Sequence, residues 1–157
     1  MSDFAIFIFG SMKDIAVNRK AYHDFFIEET YEAGMVLMGS EIKSLRKGKV
    51  SLKEAYVSFV NGEAFVKGMH IASYKDATYN DHDETRDRKL LLHKKEIARL
   101  FSKCKMQGYT CIPLRIYLKD GRAKIEIALA KGKTLYDKRE SDKKRDMDRM
   151  AKQAVRI

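Results

Sequence analysis

The sequence predicts a mainly β chain with helices, of the α+β class, on three observations. Two turn dipeptides, Asn61-Gly62 and Asp120-Gly121, each sit between alternating apolar runs. A long β-rich run precedes both, and two helical apolar patterns fall between the strands. In order, residues 25–37 form the long strand, with Gly34 as a natural bulge or bend inside it. Ser40 then caps a short helix over 41–47 that Gly48 closes. Residues 55–60 and 63–67 flank Asn61-Gly62, which supplies the two positive φ angles of a type I′ hairpin turn. A longer helix spans residues 93–107 and stops at Gly108, with Ile97, Leu100, Phe101 and Cys104 on one stripe. Residues 110–118 and 123–130 make a second hairpin about Asp120-Gly121. In its last strand Ile125, Ile127 and Leu129 face a core, and Lys124, Glu126 and Ala128 face water. These elements suit an OB-type closed antiparallel barrel of about six strands, with Gly34 splitting the first. Closure would also remove exposed sheet edges.

The 157 residues suffice for one domain with its own core. No linker interrupts residues 13–130, which hold the single proline, Pro113. Residues 131–157 differ: ten basic against five acidic side chains place half of the chain's net charge of +10 there. Sparse in apolar residues, that segment reads as a tail and not as a second domain. The apolar run from Phe4 to Phe9 is far shorter than the roughly 20 residues of a spanning helix. It also lacks the flanks of a signal peptide, so neither export nor a membrane span is expected, and Met12 is an alternative start. Cys104 and Cys111 alone exclude a disulfide framework and fit a reducing cytoplasm.

Catalysis has no support in the residues, and no cofactor or metal is expected. The four histidines are dispersed, and no phosphate-loop, dinucleotide or serine-hydrolase motif occurs. Asp81-His82-Asp83-Glu84 reads as a polar loop, because successive residues rarely converge on one ion. Binding chemistry is richer, since a net charge of +10 suggests a polyanionic partner. Asn18-Arg19-Lys20 precedes Tyr22 and His23; Arg86, Arg88 and Lys89 form a second basic group; Lys43, Arg46, Lys47 and Lys49 form a third. Cations interleaved with rings suit phosphates and unpaired bases, hence RNA or single-stranded nucleic acid. On the residues alone, Glu32 is an exposed carboxylate and Leu91 a core side chain.

Several ordered blocks point further. They are Asn18-Arg19-Lys20-Ala21, Phe26-Ile27-Glu28-Glu29, Tyr31-Glu32-Ala33-Gly34 and Glu41-Ile42-Lys43-Ser44-Leu45-Arg46. Arg86-Asp87-Arg88-Lys89-Leu90-Leu91-Leu92-His93, Gly108-Tyr109-Thr110, Ala130-Lys131-Gly132-Lys133 and Asp137-Lys138-Arg139 follow. Together they resemble the bacterial small protein B (SmpB) family. The resemblance implies an OB-type barrel over residues 13–130 and a non-catalytic role in trans-translation. Such a protein binds the tRNA-like domain of tmRNA, supports its alanine charging and delivers it to stalled ribosomes for rescue and peptide tagging.

By position, the resemblance assigns Asn18, Lys20, His23, Glu32, Leu91, Lys124 and Lys131 to the tmRNA-facing set. Arg19, Tyr22, Arg86, Arg88, Lys89, Gly132 and Lys133 support it. Tyr136, Asp137, Lys138 and Arg139 fall where the family's tail enters the decoding centre of the small subunit and its mRNA channel. The implied complex is one protein monomer with one tmRNA. Glu84 stands where many members carry proline, and the apolar start (residues 1–12) is an extension without a family counterpart. In the tail Met147, Met150, Ala151, Ala154 and Val155 form a narrow helical stripe. Residues 131–157 are therefore expected to be disordered when free and helical on the ribosome. The alternatives are an OB-fold ribosome- or tRNA-binding protein of broader RNA preference, and a basic nuclease using Asp83 and Glu84.

Overall fold

Two tight turns set the frame of the sheet. Asn61 and Gly62 have φ of 50° and 76°, and Asp120 and Gly121 of 52° and 75°. These are the paired left-handed conformations of the type I′ turn, which Asn, Asp and Gly adopt at least cost. In the computed structural model, which describes residues 13–73 and 83–155, the first turn joins β4 (Tyr56–Val60) to β5 (Glu63–Lys67). The second joins β8 (Tyr109–Lys119) to β9 (Arg122–Gly132). The remaining strands are β1 (Asp14–Val17), β2 (Phe25–Met35), β3 (Val50–Ser51), β6 (His70–Ile71) and β7 (Arg88–Leu91). Four helices accompany them: α1 (Arg19–Asp24), α2 (Gly39–Arg46), α3 (Lys94–Cys104) and α4 (Leu135–Val155). No helix among the described residues is long and apolar enough to cross a membrane. The extension 1–12 and residues Asp81 and His82 of the polar loop lie outside the described residues.

Seven strands form one antiparallel sheet in the order β1-β8-β9-β2-β7-β5-β4, and β3 pairs separately with β6. The sequence expectation of about six strands in a closed barrel differs from this in two ways. The short strand β1, absent from that expectation, pairs with residues 115–117 of β8. By satisfying that edge's backbone groups, β1 takes the ladder that closure would need. Strand β4 packs against β8, yet β1 and β4 remain the end strands of the hydrogen-bonded order.

Gly34 is also corrected. β2 runs unbroken through it, and the irregularity of the β2–β9 ladder lies between Ile27 and Glu29. Gly34 instead marks where β2 meets two neighbours, pairing with Lys124 of β9 and with Leu91 of β7. Leu91 lies over Gly34, where a Cβ would stand in ordinary contact, 3.4 Å from Leu91 Cδ1.

The helices shift from their expected bounds. α2 starts before Ser40, with Met38 as the flanking residue, because the Glu41 carboxylate accepts the Met38 N–H at 2.8 Å. α3 begins after His93, whose N–H Glu96 accepts at 3.0 Å, and the chain turns at Gly108 with φ +85°. Ile97 and Leu100 of α3 are buried, while Phe101 meets Phe59 edge-on with ring centroids 6.4 Å apart.

The main core gathers Leu45, Val57, Val66, Leu90, Leu100, Ile116, Ile125, Ile127 and Leu129 on one face of the sheet. A smaller cluster of Ala21, Ile112, Leu114, Ala128 and Ala130 lies on the other. Ala128 is therefore not on a wet face. The helix α1, expected only as a basic cluster, covers that end of the sheet with Ala21. In the tail, residues 135–155 form one helix.

Candidate nucleic-acid interface

Strand alternation puts Glu32 and Gly34 of β2 on the same face. Register extends that face sideways: Gly34 opposes Lys124, and Lys124 opposes Tyr117; Glu32 opposes Glu126, and Glu126 opposes Arg115. On the other flank Leu91 opposes Gly34. Three strands thus deliver Glu32, Leu91 and Lys124 to one outward patch. Leu91 is 56% exposed, an apolar side chain left in water beside cations, which corrects its reading as core. Lys124 makes no ion pair among the described residues. Glu32 accepts the Tyr117 hydroxyl and lies 3.4 Å from Lys119 Nζ. The hydrogen bond from Tyr117 does most to hold the Glu32 carboxyl below its ordinary range; Lys119 and Lys124 assist, against some desolvation. The ionised carboxylate keeps acceptor capacity for donors on a base or ribose.

Arg115 closes the patch, ion-paired to Asp14 at 2.9 Å and Glu126 at 3.4 Å, and lies over the Tyr117 ring at 4.6 Å. Sequence reasoning missed Arg115, Tyr117 and Lys119. The signal was present, since the Asp120-Gly121 turn sets Lys119 against Arg122 and hence Tyr117 against Lys124.

The patch continues onto α1. Ala21 of α1 packs against Ala128 and Ala130 of β9, and on that helix burial raises the Tyr22 phenol's pKa, with the Glu126 carboxylate adding to the rise. Arg19 and Lys20 beside it are exposed. At the far end of β9, Lys131 is exposed with Nζ 5.7 Å from the Tyr109 ring centroid, and the Gly132 N–H bonds the Gly108 carbonyl at 3.2 Å. Of the third basic group, Arg46 reaches the Gly121 carbonyl at 3.4 Å, at the tip of the hairpin that carries Lys124.

Two expected contacts, Arg88 and Asn18, are buried, and a third, Arg86, is partly exposed. Arg88 is fully buried. Its guanidinium donates to Glu41, to the Met69 carbonyl at 2.6 Å, and to the Asp83 and Glu84 carbonyls at 3.3 and 3.2 Å. A group so enclosed and so fully bonded is a structural brace and not a surface contact. Arg86 donates to the same buried Glu41 at 2.6 Å. Burial acts to raise the Glu41 pKa, but hydrogen bonds from Arg86, the Met38 N–H and Arg88 outweigh it and hold the group low. Asn18 is buried as well: its amide donates to the Pro113 carbonyl at 3.0 Å and accepts the Ala21 N–H at 3.2 Å, capping α1. Lys89 lies on the outward row but pairs with Glu63 at 3.1 Å.

In the tail, Tyr136 is 71% exposed and Arg139 is exposed. Asp137 closes a capping pair with Thr134, accepting its hydroxyl at 2.8 Å while the Asp137 N–H bonds back at 3.2 Å. Lys138 lies 3.5 Å from Asp24 of α1. Among the described residues no three His, Cys, Asp or Glu side chains gather as a metal set.

This arrangement offers a broad face of lysines, an ionised acceptor and an exposed leucine in place of a closed cleft. It defines a binding protein for an extended anionic partner. The profile of the family described as SmpB protein matches residues 15–157. The SsrA-binding protein of Geotalea uraniireducens (strain Rf4) is 58% identical over 139 residues, covering 88% of this chain and 92% of that relative. The SsrA-binding protein of a Nitratiruptor species is 59% identical over 149 residues, covering 92% and 98%. A chain in the solved structure described as "tmRNA-SmpB: a journey to the center of the bacterial ribosome" aligns at TM-score 0.65 and 43% identity, over 83% of this chain and 93% of that one. The protein belongs to the SmpB family.

Proposed function

We infer that this protein binds the tRNA-like domain of tmRNA and delivers it to stalled ribosomes, where trans-translation releases them and tags the nascent peptide. It works by recognition, without bond chemistry of its own, in the cytoplasm. The observation that carries the reading is the convergence of Glu32, Leu91 and Lys124 from three strands on one outward patch, in a chain of this family. Each has a distinct task there: the carboxylate accepts from base or ribose, Leu91 packs on a ring or sugar, and Lys124 neutralises phosphate. Arg19, Lys20, Tyr22, His23 and Lys131 extend the contact around α1, while Arg88 and Asn18 hold the surface in shape from within. The packing of β4 against β8 supports an OB-type barrel, in which the sheet curls toward closure without a ladder there. Residues 131–157 act as the ribosomal arm, with Tyr136 presented to the decoding centre and the distal turns of α4 entering the mRNA channel.

The test is competition binding at fixed salt, because salt changes the affinity of every phosphate contact. An RNA carrying the tRNA-like domain should outcompete ordinary hairpins of equal length by an order of magnitude or more. Equal affinity for both would reject the adaptor reading in favour of a general RNA binder. Sequencing the RNA that co-purifies from the source cells should recover tmRNA.

A further inference from the structure

The exposed side of α3 carries a groove that none of the roles described above uses. Its floor is apolar: Phe59 of β4 lies against Ile97 and Phe101 of α3, and Phe101 is left 43% exposed. The Asn61-Gly62 turn forms one wall of a hollow of about 630 Å³, and Lys94 and Ala98 line its helix side. Helical spacing explains the arrangement. Lys94, Ala98, Phe101 and Lys105 fall at i, i+4, i+7 and i+11, one stripe along the helix surface. Ala98, with a single methyl, keeps the middle of that stripe open between the two lysines. A shallower hollow shares Ala98 and continues past Ser102 to Lys103 and the half-exposed Met106, so the groove runs on across α3.

The charge around it is of one sign. Glu96 is committed to the His93 N–H, and Arg99 to Glu29 through two hydrogen bonds. Lys94, Lys95, Lys103 and Lys105 make no ion pair among the described residues. An apolar side chain gains by entering the slot, and carboxylates gain by staying at its rim. A nucleic-acid base suits it less well, because stacking needs a flat, open ring face. The two rings stand at 67° to each other, and Lys105 Nζ lies 4.2 Å from the Phe101 centroid. Rings so set wall a slot for a side chain and offer no flat platform.

We propose that this groove docks an acidic segment of a partner protein, which seats one bulky apolar side chain between Phe59 and Phe101 and sets carboxylates on Lys94 and Lys105. From residue 94 to residue 105 the helix advances roughly 16 Å, at about 1.5 Å per residue. An extended chain covers that distance in about five residues. The segment therefore carries acidic side chains about that far apart, with a Leu, Ile or Phe between them. None of the residues lining the slot belongs to the RNA-facing set, so RNA and this partner can be held together.

The experiment selects a displayed library of random peptides about twelve residues long, enough to span the groove, on the full chain. Enriched peptides should carry Asp or Glu on both sides of a Leu, Ile or Phe. The double substitution Lys94→Glu, Lys105→Glu should weaken them by about tenfold or more, because two exposed attractions become repulsions. The charge-matched pair Lys53→Glu, Arg122→Glu, at exposed positions elsewhere, should change their affinity by no more than about twofold. Amide shifts on adding a selected peptide should centre on residues 59–62 and 94–106. An RNA with the tRNA-like domain should leave the peptide in place. No enrichment, enrichment without the acidic and apolar pattern, equal effects of the two double substitutions, or shifts centred elsewhere overturn the proposal. Displacement of the peptide by that RNA or by oligouridine overturns it too, and makes the groove a nucleic-acid surface instead.

Discussion

Arg88→Ala separates an internal brace from a surface contact. In the folded protein Arg88 has no exposed surface, and it donates to the Glu41 carboxylate and to the carbonyls of Met69, Asp83 and Glu84. Removing it leaves a buried carboxylate with Arg86 and the Met38 N–H as its remaining donors, and deprives three carbonyls of a donor. Breaking a buried pair on one side costs about 3–5 kcal/mol, a large share of a total stability of roughly 5–15 kcal/mol. For a chain of this size each kcal/mol lowers Tm by about 2–4 °C, so a fall of roughly ten degrees is expected. Thermal unfolding by circular dichroism reads it directly, alongside RNA affinity measured at a temperature where both proteins are folded.

The same site carries a pH signature. Glu41 is held below its ordinary value, so its contribution is present above the unfolded carboxylate range and is lost as pH falls through the folded value. The stability gap between the unaltered protein and Arg88→Ala should therefore narrow in acid, below about pH 4. Replacing Glu41 and Arg88 together with methionine should recover part of the loss, because no charge is left buried alone. A Tm within about 3 °C of the unaltered protein, together with weakened RNA binding, would refute the brace and return Arg88 to the surface.

Three further outcomes follow from particular contacts. Asn18→Ala should cost about 1–3 kcal/mol in urea unfolding, from the lost cap of α1 and the stranded Pro113 carbonyl. Lys124→Ala should leave Tm unchanged while weakening RNA binding and reducing the slope of log affinity against log salt by about one, measured by salt titration. Truncation after Gly132 should leave affinity for the tRNA-like RNA within a few-fold of the full chain, yet abolish tagging on stalled ribosomes in a reconstituted translation assay.

What the amino-acid order determined by itself is local. Asn61-Gly62 and Asp120-Gly121 could hardly be anything but hairpin turns, since few residues accept paired positive φ angles, and those turns set the register of four strands. The buried stripe of Ile97 and Leu100 on α3 was equally readable, because a helix repeats every 3.6 residues whatever lies beyond it. The ordered blocks from Asn18 to Arg139 carried the family.

Tertiary structure decided which polar residues face water. Arg86, Arg88 and Lys89 look alike in sequence, but in the strand β7 Arg88 points inward where the Glu41 carboxylate from another element meets it, while Lys89 points out. Leu91 lies two positions on and so shares the outward face with Lys89, beside Gly34 of β2. Asn18-Arg19-Lys20 divided likewise, one residue becoming the cap of a helix that covers Ala128 and the others staying exposed on its surface. Burial and pairing of this kind depend on partners dozens of residues away, and no local pattern of charge or hydropathy encodes that distance.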